Sequence, residues 1–220
     1  MSDHWITFDC FGTLVDWHTG FANAVGPYAG ARTAELLSAY HEFEAPLEAE
    51  RPHRLYRDVL TTGLLRAAQK IGLPFSEAQA RKLPETWDAL PIFADVEPML
   101  SNLRAGGWKL AVLTNCDEDL FAQTQRNFRQ PFDLVITAER VRDYKPSASH
   151  FRYFSRTTGV NHANWVHVAC SWFHDIAPAR ELGIKRIWLD RDHTPDAASA
   201  ATAHIPSADQ VIETVERIMA

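Results

Sequence analysis

The chain has 220 residues, 46% of them hydrophobic, with 22 basic against 28 acidic side chains for a formal net charge of -6. That length suits one domain with an insertion or two small ones, and the apolar content suits a real core rather than disorder. The acidic balance without a basic cluster excludes nucleic acid as an expected partner, and no apolar run approaches the roughly 20 residues that cross a bilayer.

Trp5-Ile6-Thr7-Phe8 reads as a strand that begins too early to leave room for a signal peptide, which predicts a cytoplasmic protein. It runs into Asp9, and Gly12 permits a turn that other residues resist. Asp9 therefore stands at the carboxyl end of an early strand, where open α/β sheets bind ligands and a carboxylate can serve as nucleophile, base or metal ligand.

From about residue 17 to 92 the pattern is helical. Leu36, Tyr40, Phe43 and Leu47 recur at helical spacing, as do Leu60, Leu64, Ala68 and Ile71. Pro46 is expected to kink or interrupt the first of these helices, and Gly72 with Pro74 to stop the second. Ser76 with Gln79 resembles a capping box opening a third, which should end before Pro91.

Alternation of strand and helix resumes at Ile92. A helix near Val96 to Ala105 ends at Gly106-Gly107, and Lys109 to Leu113 forms a buried strand reaching Thr114-Asn115. A helix near Glu118 to Phe128, a strand at Leu134 to Ile136 and a loop and helix opened by Lys145-Pro146 follow. Val166 to Ala169 is a strand ending at Cys170-Ser171, then come a helix from about Asp175 to Leu182 and a strand at Arg186 to Leu189. Residues 192–206, rich in Ala, Pro, Thr and Ser, read as loop, and Asp209 to Ile218 as a closing helix. This rhythm predicts an α/β fold with a parallel sheet covered on both faces.

Polar groups thus mark four strand ends: Asp9 and Thr13, Thr114 and Asn115, Lys145, and Ser171 with Asp175. Singly each is an ordinary cap or loop residue; together, in this order, they converge on one crevice. Cys10, Cys116 and Cys170 lack zinc spacing and are odd in number, so they read as reduced thiols near that crevice or as small buried hydrophobes.

These four stretches, Phe8-Asp9-Cys10-Phe11-Gly12-Thr13-Leu14, Leu113-Thr114-Asn115, Tyr144-Lys145-Pro146 and Cys170-Ser171-(x3)-Asp175, resemble the motifs of the haloacid dehalogenase superfamily. The resemblance implies a Rossmann-like core over residues 1–16 and 93–220 with a helical cap inserted at 17–92. It implies that Asp9 is a nucleophile, that Thr114 and Asn115 bind the anionic end or leaving group of the substrate, that Lys145 keeps Asp9 ionised, and that Asp175 places or activates water. Thr13 and backbone N–H groups of the Gly12 turn would hold one Asp9 oxygen. Cys10, Phe11, Ser171 and Trp172 fall in the substrate region, and Trp17, His41 and Phe43 are expected to border a small, mostly apolar pocket above Asp9.

The superfamily's phosphatases carry a second Asp where this chain has Phe11 and a magnesium-binding acid where it has Cys170. A phenyl ring and a thiol are poor company for Mg²⁺, so the resemblance points to the metal-independent (S)-2-haloacid dehalogenase branch, without cofactor and acting on a small carboxylate. That branch forms an aspartyl ester that water then hydrolyses to a 2-hydroxy acid of inverted configuration; a homodimer is compatible with it. Three departures stand out: no arginine lies between Arg32 and Arg51, where the branch places its halide-binding arginine and His41 falls; Trp172 replaces an Asn; Phe151 replaces a Tyr. The run Asp9 to Trp17 and the His174-Asp175 pair are similar to L-azetidine-2-carboxylate hydrolases, in which a ring amine leaves and cap carboxylates such as Glu42, Glu44, Glu48 and Glu50 would be useful.

Overall fold

The computed structural model describes residues 3–191 and 201–220. Its six strands are β1 (Trp5–Phe8), β2 (Lys109–Thr114), β3 (Leu134–Thr137), β4 (Trp165–Ala169), β5 (Lys185–Leu189) and β6 (Ala203–Ile205). They lie in one sheet ordered β3-β2-β1-β4-β5-β6, every pair parallel. All four residues of β1 and all five of β4 are buried, as expected of strands covered on both faces. β1 is flanked by β2 on one side and β4 on the other, so the strand order reverses at β1 and opens a crevice beyond its carboxyl end.

Between β1 and β2 the chain forms α1 (Trp17–Ala29), α2 (Thr33–Glu48), α3 (Tyr56–Lys70), the single turns α4 (Glu77–Ala80) and α5 (Lys82–Glu85), and α6 (Val96–Ala105). Leu36, Tyr40 and Leu47 of α2 and Leu60 and Leu64 of α3 are completely buried, each side chain contributing about 1.5–3 kcal/mol by leaving water. Gly63 lets these two helices close: a Cβ there would stand 2.8 Å from the Tyr40 ring. The chain leaves and re-enters the sheet region along paired backbones, with Asp16 N–H donating to Pro91 O at 2.8 Å and Phe93 N–H to Leu14 O at 3.1 Å.

Downstream come α7 (Glu118–Gln125), α8 (Ala138–Val141), α9 (Ser149–Thr158), α10 (Ala177–Glu181) and α11 (Val211–Met219). Four local expectations are corrected. Pro46 does not interrupt α2; it sits in the last turn, where only one ladder bond is lost, and the helix ends at Glu48. The capping box of Ser76 and Gln79 forms, but the helix it opens breaks at Arg81, because Pro84 cannot donate to the carbonyl of Ala80. The helix after β4 starts earlier than expected, as a π turn over Trp172–Ile176 that runs into α10. Within the stretch read as loop, Ala203–Ile205 pairs with β5 as the sixth strand, while residues 192–200 lie outside the described part.

Candidate active site

Asp9 follows the last residue of β1, and its backbone N–H continues the ladder to Val168 O at 3.1 Å. The chain then turns tightly over Cys10, whose carbonyl accepts from the N–H groups of Thr13, Leu14 and Val15. Gly12 makes the turn feasible: its φ is 89°, and a Cβ would fall 2.9 Å from Cys170 Sγ. The turn delivers Thr13 Oγ1 to Asp9 Oδ2 at 2.6 Å while the same oxygen accepts from Cys170 N–H at 2.9 Å. The expected help from the Gly12 N–H is absent; it donates to Val15 O at 2.8 Å, closing the turn instead.

The other Asp9 oxygen belongs to Lys145. Its ammonium donates to Asp9 Oδ1 at 2.9 Å, Leu113 O at 2.8 Å and Asp175 Oδ1 at 2.6 Å, so all three protons are used. Lys145 is 1% exposed. Burial alone would drive its pKa down, but the carboxylates of Asp175 and Asp9 outweigh that and hold it above the ordinary lysine value. Asp175 is fully buried, yet Lys145 and His167 keep its carboxyl below the usual carboxylate range against the pull of burial. Its Oδ1 carries both of those donors, and its Oδ2 has no protein partner.

A cavity of about 290 Å³ opens over this cluster. From the sheet side Asp9, Phe11, Asn115, Lys145, Cys170, Ser171, His174, Asp175 and Arg191 line it, and from the helical side Trp17, His18, His41, Glu44, Glu48 and Tyr56. Arg191 is committed elsewhere, donating to Thr13 O and to both oxygens of Asp95 and lying 3.8 Å over the Phe93 ring. Glu44 accepts from the hydroxyls of Tyr40 and Tyr56 at 3.0 and 2.7 Å. Glu48 is buried, accepts from Asn115 Nδ2 at 3.4 Å and lies 3.9 Å from His174 Nε2. Burial and the Glu44 charge raise its pKa well above the ordinary glutamate value, against the opposing influence of Lys145 and Asn115.

Several residues expected at the substrate are elsewhere. Thr114 is fully buried and its hydroxyl donates to Cys116 Sγ at 3.6 Å, below the cavity floor. Cys10 is buried, with its thiol pushed up by that burial. Trp172 packs edge-on against Trp188 at 5.4 Å, and Phe43 leans on the hydrophobic core. Spacing alone could not separate these from their cavity-lining neighbours, because a residue one position off a strand end points to the opposite face. Glu44 and Glu48, two of the four cap carboxylates named from the sequence, stand four apart on α2 and share a helix face. Asp117 carried no such signal: it accepts from the N–H groups of Tyr56 and Arg57 at 2.6 and 3.1 Å, capping α3 from across the crevice because Leu55 offers no side-chain cap.

Magnesium does not fit this site. Phe11 and Cys170 line the cavity with a phenyl ring and a thiol rather than oxygen donors, the Lys145 ammonium bridges the two carboxylates, and among the described residues no group of three or more His, Cys, Asp or Glu side chains is arranged to hold a metal ion. Nor is any helix among them long and apolar enough to cross a membrane.

The fold is shared with known enzymes. An L-2-haloacid dehalogenase, RSc1362, superposes with a TM-score of 0.87 at 21% identity, covering 98% of this chain and 100% of that one. The L-2-haloacid dehalogenase from Xanthobacter autotrophicus with chloropropionic acid covalently bound gives 0.83 at 18% identity over 97% and 98% of the two chains. In sequence, haloacetate dehalogenase H-2 of Moraxella sp. (strain B) is 24% identical over 192 residues, 84% of this chain and 85% of the relative. Residues 4–183 match the haloacid dehalogenase-like hydrolase family, to which this chain belongs.

Proposed function

We propose that the protein is a metal-independent hydrolase of the (S)-2-haloacid dehalogenase type, in which Asp9 attacks C2 of a small carboxylic acid. The observation that carries this reading is the placement of Asp9 at the cavity floor with each oxygen held by one donor, Thr13 and the charged Lys145. A carboxylate attacks carbon only when it is ionised, oriented and partly stripped of water, and Asp9 is 7% exposed beside a fully buried ammonium. In the first step an Asp9 oxygen forms a bond to C2 while the leaving group departs with the bonding pair. In the second, water adds to the aspartyl ester carbonyl as Asp175 Oδ2 takes one of its protons; the acyl–oxygen bond breaks, the departing alkoxide takes up the water's other proton to become the 2-hydroxy acid, Asp9 is restored as a carboxylate, and Asp175 then releases its proton to solvent. The covalent chloropropionic acid adduct of the Xanthobacter autotrophicus neighbour supports this course. In this reading residues 1–16 and 93–220 form the catalytic core and residues 17–92 a cap that excludes water from the cavity.

One observation favours a second reading, hydrolytic opening of L-azetidine-2-carboxylate. Lys145 and Arg191, the two strong bases lining the cavity, are both engaged by protein acceptors, while Glu44 and the proton-retaining Glu48 turn acceptor oxygens toward it from α2. That wall suits a departing amine better than a departing halide. Turnover of (S)-2-chloropropionate, fluoroacetate, L-azetidine-2-carboxylate and p-nitrophenyl phosphate, each with and without EDTA, decides the matter. Halide release insensitive to EDTA supports the first reading and ring opening the second; phosphate release restored by Mg²⁺ sinks both.

A further inference from the structure

We propose that His167, in its neutral form with the proton on Nε2, is a positioning residue that fixes the Asp175 carboxylate so that one oxygen is reserved for the hydrolytic water; the second half of this rests on the aspartyl-ester reading. His167 lies inside β4, in register with Thr7 of β1, and neither side chain is exposed. Its Nδ1 is 2.8 Å from Thr7 Oγ1 and its Nε2 is 3.0 Å from Asp175 Oδ1. The Phe151 ring closes over it edge-on at 5.0 Å.

The proton positions follow from counting donors. Trp165 Nε1 can only donate, and it lies 2.9 Å from Thr7 Oγ1. Thr7 therefore accepts from Trp165 and has one proton of its own to give. Given to His167 Nδ1, it leaves Nε2–H to donate to Asp175, and every polar atom from Trp165 to Asp175 Oδ1 is satisfied. An imidazolium would make Thr7 accept twice and strand its hydroxyl proton in a buried site, which costs about 1–3 kcal/mol.

The consequence lies at Asp175. The last torsion of an Asp side chain is broad and roughly two-fold, so a single donor does not settle which oxygen faces which way. Here Lys145 and His167 both donate to Oδ1, and Oδ2, itself buried, is left without a protein partner in a residue that lines the cavity. His167 touches neither Asp9 nor the cavity; it acts through Asp175.

Two measurements test this. Two-bond ¹H–¹⁵N correlation spectra of the unaltered protein at pH 8, with His167 assigned by its loss in His167→Gln, should show the Nε2–H tautomer pattern; an Nδ1–H or imidazolium pattern overturns the proposal. In single turnovers of (S)-2-chloropropionate followed by chloride release and by intact protein mass, His167→Leu should leave the chloride burst within about twofold. It should slow decay of the covalent adduct about 10- to 100-fold, the worth of one hydrogen bond to a charged group. His167→Gln, whose amide can still donate to Asp175, should recover most of that loss. Equal slowing of both steps, or of neither, overturns the positioning role. If the unaltered protein forms no adduct with this probe, the aspartyl-ester reading fails for it, and the spectra still decide the protonation state.

Discussion

Asn115 and Lys145 exchange two hydrogen bonds: Lys145 N–H donates to Asn115 Oδ1 at 2.7 Å, and Asn115 Nδ2 donates back to Lys145 O at 3.0 Å. The end of β2 is thereby clamped to the loop that carries the ammonium. Asn115 lines the cavity, but its amide is already spent on this clamp and on Glu48. Asn115→Ala should strand two main-chain groups of Lys145, lowering stability by about 1–3 kcal/mol and kcat at least tenfold, with KM moving less. Urea melts and steady-state kinetics check both; a change confined to KM would mean that Asn115 serves the substrate directly.

Asp9→Asn keeps the shape of the nucleophile and removes its charge. Turnover should fall by many orders of magnitude while the melting curve stays cooperative, and the isotope test is sharper still. With excess enzyme in H₂¹⁸O, a single turnover should place the label in Asp9, because water attacks the ester carbonyl. Label appearing in the hydroxy acid with Asp9 unlabelled would make Asp9 a base acting on water.

The sheet was largely legible because β1 to β5 are short apolar runs closed at or just beyond their ends by a polar residue, and the crevice followed from Asp9 and Asn115 just past two of those ends and from Lys145 and Asp175 in the stretches that follow β3 and β4. What was not legible depends on side-chain direction and on partners distant in sequence. Thr114 and Asn115 are adjacent, yet one is buried under the floor and the other lines the cavity. The network that holds Asp175 links Thr7 to His167 across 160 positions, and Asp117 caps a helix 60 residues before it; neither leaves a local pattern. β6 was missed because three residues of mixed polarity, Ala203-His204-Ile205, carry no period.

Lys145→Met should be more damaging to folding than to shape. It leaves the Asp9 and Asp175 carboxylates facing each other without the cation between them, a change that typically costs about 3–5 kcal/mol for a buried pair. Adding Asp175→Asn should recover part of that loss, since one of the two uncompensated charges is then gone. Denaturant melts of the two single variants and the double form a cycle; a double variant less stable than Lys145→Met would show that the ammonium is not compensating Asp175.

Glu48 should give the protein an acid-favouring component of stability. Burial first, then the Glu44 charge, raise its pKa well above the ordinary value, with Lys145 and Asn115 opposing. In the unfolded chain a Glu loses its proton near pH ~4.3. Above that pH and up to its raised native value, the folded protein keeps a proton that the unfolded chain has lost. The native state then binds more protons, so stability falls as pH rises through this window, by at most about 1.4 kcal/mol per pH unit. Glu48→Gln keeps the size and the contact with Asn115 but removes the titration. Against the unaltered protein, its unfolding free energy should match near pH 4 and exceed it increasingly toward pH 7, as read from urea melts at each pH. Parallel curves for the two proteins across that range would mean that Glu48 is ionised in the folded state as readily as in the unfolded chain.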